Sequence, residues 1–404
     1  MAESMAHISP VTLPSVISVD RLRAWWVAAA SFGYAFFEVL SRDPHIGTFA
    51  NYAGILSGFV FAISYVIAHP QMVRVRRTEL MVLAFLLLAL PMALGQAQNP
   101  LDIAGNLMRA LFLLLAVVFW RTHSIDLAQV IHHLYRALWV VVVAVVAFII
   151  LARASGMTMP AAHHVPAIIF LFSIALFKGR RLPVFALLVM AIITGKEATY
   201  LALLSVTGAY LLLRQRLIIG LLVLALVGVF AVAPVNPIIY GLNALGGNFA
   251  RLADFLTSLT TGHFDDELLT QITSNRYLEY LSVFQDWRDQ GVPYFGRGLG
   301  ATVLVEVGWA NEWIERSTLH NSFLVIFHTT GVFGAAFAMH YVISPLWRIR
   351  KQAPEITLVC VGCVVYALFS NTMLQAPTLV FSLALAKRIS ERMDLATPKR
   401  RLKW

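Results

Sequence analysis

Long apolar runs constrain the fold of this chain more than any other feature. They extend over roughly 14 to 24 residues, the length of helix that crosses a hydrocarbon layer about 30 Å thick. Of the 404 residues, 13% are charged and 59% are hydrophobic, whereas a soluble domain carries about 25% charged residues. Because such a chain cannot cover itself with polar surface, the sequence predicts an integral membrane protein and excludes collagen-like, disordered and disulfide-scaffold classes.

The apolar runs predict an all-α polytopic membrane protein with about 12 transmembrane helices. The first run follows Arg21 and Arg23 without the compact pattern of a cleavable signal, and it is interpreted as a retained anchor. The sixth, seventh and twelfth runs are short enough to be tilted or re-entrant half-spans. The spans are expected near residues 24–40, 46–68, 79–95, 103–120, 137–152, 165–177, 182–194, 198–213, 217–235, 319–343, 355–370 and 376–387.

The positive charges lie mostly on one side of these spans. A net charge of +10 is compatible with nucleic-acid binding, but in a membrane chain lysine and arginine first report orientation. More than two thirds of the 31 lysines and arginines fall in alternate loops and in the tail. The sequence therefore predicts that both ends are cytoplasmic, that membrane lipids are the neighbours, and that no nucleic acid is bound.

One long segment departs from the membrane pattern and is expected to be an extracytoplasmic domain. It covers residues 236–318, between the ninth and tenth spans, and carries ten of the 21 acidic residues. The predicted organisation is therefore a membrane part at 1–235, the loop domain at 236–318, and three spans with a basic tail at 319–404. Within the loop, residues 268–290 have the periodicity of an amphipathic helix that ends at Gly291 and Pro293.

Basic side chains on the outer side require a separate explanation, because the positive-inside bias works against them. Arg276 and Lys196 suggest an anionic ligand such as a lipid-linked sugar diphosphate, since cationic side chains bind phosphate oxygens. The alternative is ion pairing with Glu279 or Glu197, or snorkelling of Lys196 at a span end. Arg109, within or near a span, is a functional or pairing candidate for the same reason.

Two further features stand at the end of the loop. The glycine turn, Gly296-Arg297-Gly298-Leu299-Gly300, allows its backbone to approach a ligand or another segment closely. His320 opens the tenth span, where an imidazole can take a proton from an acceptor hydroxyl, and Asn321 follows it. The alternative is that both residues cap or pack the helix.

The order of these residues resembles a known family. His320-Asn321, nine residues, and then Gly331-Val332-Phe333-Gly334 is similar to the H-[NSQ]-x9-G-x-x-[GTY] signature of the bacterial O-antigen ligase and O-antigen polymerase superfamily. Arg276, Trp287, Pro293 and the glycine turn resemble that family's R…W…P-x-x-G-x-G-x-G segment. The resemblance is close from Arg276 to Gly334 and extends to the rest of the chain by topology.

The resemblance implies a function and a place in the cell. Members transfer a glycan from undecaprenyl diphosphate to an acceptor hydroxyl, with inversion and without a metal or other cofactor, at the periplasmic face of the bacterial inner membrane. It implies that Arg276, Lys196 and Arg297 bind the diphosphate and that His320 and Asn321 act on the acceptor. The family usually has arginine at the place of Lys196, which lacks the bidentate fork.

Three functions therefore stay open from the sequence. The first is a ligase that attaches polysaccharide to lipid A core, favoured because the chain has one large loop where polymerases often have two. The second is a polymerase of O-antigen, capsule or exopolysaccharide repeat units, whose acceptor is the growing glycan. The third is a transporter or flippase, which would show ionisable residues at the bilayer midplane and discontinuous helices. A metal site at His263-Phe264-Asp265-Asp266-Glu267 is disfavoured, because adjacent loop residues rarely converge.

Overall fold

The structure is a computed structural model. It describes residues 18–40, 47–70, 75–96, 100–154, 164–194, 197–214, 253–254, 257, 276–290, 294–307, 312–316, 319, 321–370 and 375–396. The fold of this part is α-helical, with one two-stranded hairpin. The elements are α1 Val19–Leu40, α2 Gly47–Ala68, α3 Arg77–Gln96, α4 Pro100–Arg121, α5 Leu127–Ala154, α6 Val165–Phe177, α7 Arg181–Thr194, α8 Glu197–Leu213, α9 Arg276–Gln290, β1 Val303–Val307, β2 Glu312–Arg316, α10 Ser322–Ile349, α11 Pro354–Leu368 and α12 Pro377–Ala396.

Three of these helices are long and apolar enough to cross a membrane. The qualifying stretches are Ile103–Arg121 in α4, Leu127–Leu151 in α5 and Ser322–Ile349 in α10. Shorter apolar helices include Val165–Phe177 and Pro354–Leu368. Within the described residues a helix lies at each predicted span, whereas the ninth, residues 217–235, falls outside them.

The helices α5, α7, α8, α11 and α12 pack against α6, which is buried along Val165–Ala175. Its sequence is apolar on every side, as expected for a helix that has protein neighbours all round rather than one exposed face. The main core continues through α1, α4, α5, α8, α11 and α12. Helix α6 has 13 residues, fewer than the roughly 20 that usually cross a bilayer.

Buried ion pairs join the helix ends that the charge pattern assigns to the cytoplasmic side. Arg121 donates from Nη1 to Glu79 Oε2 at 3.0 Å and from Nε to Glu391 Oε2 at 2.9 Å. These bonds bring the start of α3, the end of α4 and the later part of α12 to one end of the bundle. Nearby, Arg23 donates from Nη2 to Thr122 Oγ1 at 2.8 Å, which places the start of α1 there as well.

The hairpin was not predicted from the sequence. β1 pairs antiparallel with β2, with Val305 opposite Ile314. Val303 and Val305 face a small core while Leu304 between them is exposed, the alternation of a half-buried strand. That core also contains Val283 of α9 and joins the loop segment to the start of α10.

Candidate functional site

The helix that begins at Arg276 lies against the start of α10. Asn321 is the N-cap of α10, and its Oδ1 accepts from the backbone N–H of Phe323 at 2.8 Å and of Leu324 at 3.1 Å. Its Nδ2 donates to the hydroxyl of Tyr280 at 2.5 Å, and that hydroxyl donates to the Leu368 carbonyl at 3.2 Å. The carboxamide of Asn321 therefore holds the starts of α9 and α10 beside the end of α11.

A second contact fixes the direction of α9. The indole of Trp287 stacks on Phe327 with ring centroids 4.0 Å apart, and its Nε1–H donates to His328 Nδ1 at 3.3 Å. From Tyr280 to Trp287 and from Asn321 to His328 the chain advances by the same seven residues. The two helices therefore run side by side in the same direction, and the first turn of α9 lies beside the start of α10.

The glycine turn fits into a break in α10. Gly331 has φ +68° and ψ −170°, so the helix is interrupted there. The break deprives the His328 and Thr329 carbonyls of their helical donors, and the backbone N–H groups of Arg297 and Gly298 replace them at 2.8 and 3.0 Å. The turn and the broken helix therefore complete each other's backbone hydrogen bonds.

Glycine is required at this junction for steric reasons. A Cβ added to Gly296, whose φ is +73°, would lie 2.5 Å from the Gly331 nitrogen and 2.6 Å from the Thr329 carbonyl carbon. A Cβ on Gly331 would collide with the Tyr294 carbonyl in turn. Of the two expectations for the glycine turn, close approach to another segment is confirmed. Gly298 and Gly300 also have positive φ, at +89° and +80°.

Arg297 already has a carboxylate partner in this structure. Its Nη1 lies 3.7 Å from Asp286 Oδ1, and 18% of its side chain is exposed. Asp286 Oδ2 lies 4.0 Å from His328 Nδ1. Burial raises the pKa of the Asp286 carboxyl, Arg297 opposes that rise, and Asp289 adds to it. This arrangement suits Arg297 to holding the turn against α9, and its predicted contact with a diphosphate would have to compete with Asp286.

Some of the predicted site residues belong to the part of the chain that the structure describes, and others do not. His320 and Lys196 lie outside the described residues, as does the segment His263–Glu267, and for Arg276 only the backbone at the start of α9 is described. Asn321 and Arg297 both take part in the junction between the loop and α10. Among the described residues, no three histidine, cysteine, aspartate or glutamate side chains converge on a metal position.

Sequence reasoning singled out Trp287, Asn321 and the glycine turn, but it missed Tyr280 and the face of α9 that packs. The periodicity of α9 gave one face with Leu281 and Phe284 and another with Glu279, Val283 and Asp286. In the structure the first face is exposed and the second packs against β1 and α10. Tyr280 lies seven residues before Trp287, which is two helical turns along the same side of α9, and this spacing is the signal that would have identified Tyr280.

Apolar helices of spanning length make this chain a helical membrane protein. A scan against protein-family models finds no match. A search of curated proteins finds no match either. The functional argument therefore rests on the residues themselves and on the junction they form.

Proposed function

We propose that this protein is an inner-membrane glycosyltransferase that moves a glycan from undecaprenyl diphosphate to an acceptor hydroxyl on the periplasmic side. The junction described above carries the proposal. Two stretches that resemble the O-antigen superfamily are separated in the chain, yet their described parts pack side by side through Tyr280 and Asn321. This packing would set Arg276, at the first residue of α9, and His320, directly before Asn321, on the same outer edge of the protein.

The proposed topology has twelve spans, both ends in the cytoplasm and one large periplasmic loop between helices 9 and 10. The buried ion pairs at one end of the bundle support it. The starts of α1 and α3 and the ends of α4 and α12 meet there, as required if successive helices alternate in direction. The loop junction, at the start of α10 and the end of α11, belongs to the opposite end in this scheme.

The proposed chemistry needs cations and one proton acceptor. Departure of the diphosphate develops negative charge, which Arg276 and Lys196 would stabilise through fixed hydrogen bonds and charge. His320 would take the proton of the acceptor hydroxyl as it attacks the anomeric carbon from the opposite face, giving inversion. Loss of one such cation is expected to slow transfer by about 10² to 10³-fold.

The more specific proposal is an O-antigen ligase that uses lipid A core as the acceptor. A repeat-unit polymerase of the same superfamily uses the same donor, and the single large loop favours the ligase. The break at Gly331 is a feature of transporters, in which unwound backbone coordinates ions. In this chain, however, amides of the glycine turn already occupy the His328 and Thr329 carbonyls, and this occupation favours the enzyme.

The test is reconstitution of the full chain with an undecaprenyl-diphosphate glycan, with and without lipid A core, and in a chelator. Product on the core identifies a ligase, and longer carrier-linked chains identify a polymerase. His320→Ala and Arg276→Ala should abolish transfer while the protein stays in the membrane. Arg288→Ala is the matched control on α9, because 76% of that side chain is exposed and its carboxylate contact is with its neighbour Asp289. Transfer at the wild-type rate by both site variants would refute the proposal.

A further inference from the structure

Two exposed aromatic residues, Tyr294 and Phe295, lie just before the glycine turn and are called the aromatic tip. They are 60% and 62% exposed, whereas the glycines of the turn that follows are buried. Both rings lie against Phe333 of α10, with ring centroids 5.9 and 5.8 Å from its centroid. Phe333 is itself 52% exposed. Large apolar side chains that gather on a surface in this way mark a place where protein or lipid is bound.

The side of α10 that carries Phe333 is the side that faces lipid. Exposed residues recur along this helix at alternate intervals of three and four, which places them in one stripe. They are Phe333, Ala336, His340, Ile343 and Trp347. Apart from His340 the stripe is apolar, and it belongs to a helix that is long and apolar enough to cross a membrane. The aromatic tip therefore continues a surface that already contacts the bilayer.

The depth of the aromatic tip follows from the other end of α10. Trp347 is 69% exposed, and the guanidinium carbon of Arg350 lies 3.7 Å from its ring centroid. An exposed tryptophan beside a cation is typical of the boundary between hydrocarbon and water. Phe333 precedes Trp347 by 14 residues, or about 21 Å of helix at 1.5 Å per residue. Because the hydrocarbon layer is about 30 Å thick, Phe333 falls inside it, near the opposite boundary.

The charged end of α9 sets the upper limit of this insertion. Arg288 and Asp289 are 76% and 57% exposed, and exposed charges avoid hydrocarbon. They follow Trp287, whose indole bonds to His328. His328 precedes Trp347 by 19 residues, or about 28 Å, which is close to the full thickness of the layer. The boundary therefore lies between the end of α9 and the aromatic tip, so that the tip enters the lipid and the charges remain in water.

The backbone of this segment is suited to such a depth. Non-helical backbone is tolerated in hydrocarbon only where the protein itself pairs its polar groups. The Phe333 N–H donates to the Tyr294 carbonyl at 3.4 Å. The break at Gly331 leaves the His328 and Thr329 carbonyls to accept from the amides of the glycine turn. The broken helix thus supplies the partners that a non-helical segment needs beside it.

We propose that the aromatic tip inserts into the hydrocarbon of the leaflet on the loop side and contacts its acyl chains, with Phe333 as support. This contact anchors the loop segment to the bilayer and holds the glycine turn at the membrane boundary. The proposal goes beyond the glycosyltransferase activity and does not depend on it.

Spin labelling tests the proposal in the full-length chain. Tyr294→Cys and Phe295→Cys are labelled separately with a nitroxide in phosphatidylcholine nanodiscs, so that failure of one variant to fold leaves the other. Collisions of the label are measured with oxygen, which concentrates in hydrocarbon, and with a neutral nickel chelate, which stays in water. Ile343→Cys on the stripe is the lipid reference and Arg288→Cys the aqueous reference. Protein without an added cysteine is the blank, because Cys360 and Cys363 are fully buried.

The oxygen-to-chelate ratio decides the outcome. At both tip positions it should exceed the ratio at Arg288→Cys by about tenfold or more and approach that at Ile343→Cys, because a polar chelate partitions poorly into hydrocarbon. A ratio equal to that at Arg288→Cys would place the aromatic tip in water and overturn the proposal. Few collisions with either reagent would mean that protein covers the tip, and this result also overturns it. None of these measurements uses glycan transfer, so failure of the proposed activity would leave the result unchanged.

Discussion

The junction between the glycine turn and α10 gives the sharpest test of the structure. Replacing Gly296 by alanine puts a Cβ 2.5 Å from the Gly331 nitrogen and 2.6 Å from the Thr329 carbonyl carbon. Both contacts are with backbone, so no flexible side chain can move aside. The turn must withdraw from α10, and the bonds from Arg297 N–H to the His328 carbonyl and from Gly298 N–H to the Thr329 carbonyl are lost.

The expected cost follows from these contacts. An alanine at a φ of +73° costs about 1 to 2 kcal/mol relative to glycine. Two lost hydrogen bonds that leave buried carbonyls unpaired add about 1 kcal/mol each. Gly296→Ala should therefore lower the free energy of unfolding by about 3 to 4 kcal/mol, measured by equilibrium unfolding in mixed detergent and SDS micelles. If the junction positions the site, transfer should fall as well.

Two other glycines supply controls that divide this cost. Gly179 has φ +67° and nothing within 4 Å of an added Cβ, so Gly179→Ala isolates the backbone strain. Gly208 lies in α8 with open space and without a positive φ, so alanine there should be neutral or slightly stabilising. If Gly296→Ala unfolds no more easily than Gly179→Ala, the close approach of the turn to α10 contributes nothing and the reasoning is refuted.

Substitutions at three further positions test other contacts of the described residues. Asn321→Ala should cost about 2 kcal/mol through loss of the helix cap and of the bond to Tyr280, and Asn321→Asp, which keeps the cap, about half as much, both by the same unfolding assay. Glu79→Met should destabilise the fold by about 3 kcal/mol, because it removes a carboxylate from buried Arg121; unchanged stability would mean that Glu391 alone suffices. Because the pKa of Asp286 is raised in the folded state, the folded protein holds the carboxyl proton more tightly than the unfolded chain does. The free energy of unfolding should therefore fall as pH rises from below the unfolded-state pKa to above the folded-state pKa. The free energy of unfolding of the wild type should therefore fall relative to that of Asp286→Asn over that interval. A rise of the wild type relative to the variant would contradict the direction of the pKa shift.

Helix positions could be predicted from the sequence because each run of apolar residues reports its own environment. Val165–Phe177 was predicted with the bounds that the structure gives. The later part of α12 continues to Ala396 beyond the predicted span end at residue 387. There Glu391 accepts from Arg121 of α4, and Arg392 donates to the Ile125 carbonyl on the loop after α4, contacts that hydropathy does not record.

The face of α9 that packs could not be deduced in the same way. Hydrophobicity favours Leu281 and Phe284 for burial, yet these side chains are 43% and 57% exposed. The opposite face is covered because Tyr280 and Trp287 find specific partners on α10. Which face of α9 is buried depends on the surface that this helix meets in the folded protein. That surface comes from distant residues, so it produces no periodic pattern of hydrophobic residues in α9 itself.

The sequence alone determined that this chain is a helical membrane protein, where its described helices lie, and which residues deserve attention between Arg276 and Gly334. These follow from composition, run length and local order, which are properties of neighbouring residues. The tertiary structure decided that the glycine turn supplies the amides missing from the broken α10 and that Asn321 joins three elements. Such features arise only when distant segments meet, because unpaired backbone groups and buried charges take whichever partners the fold brings within reach.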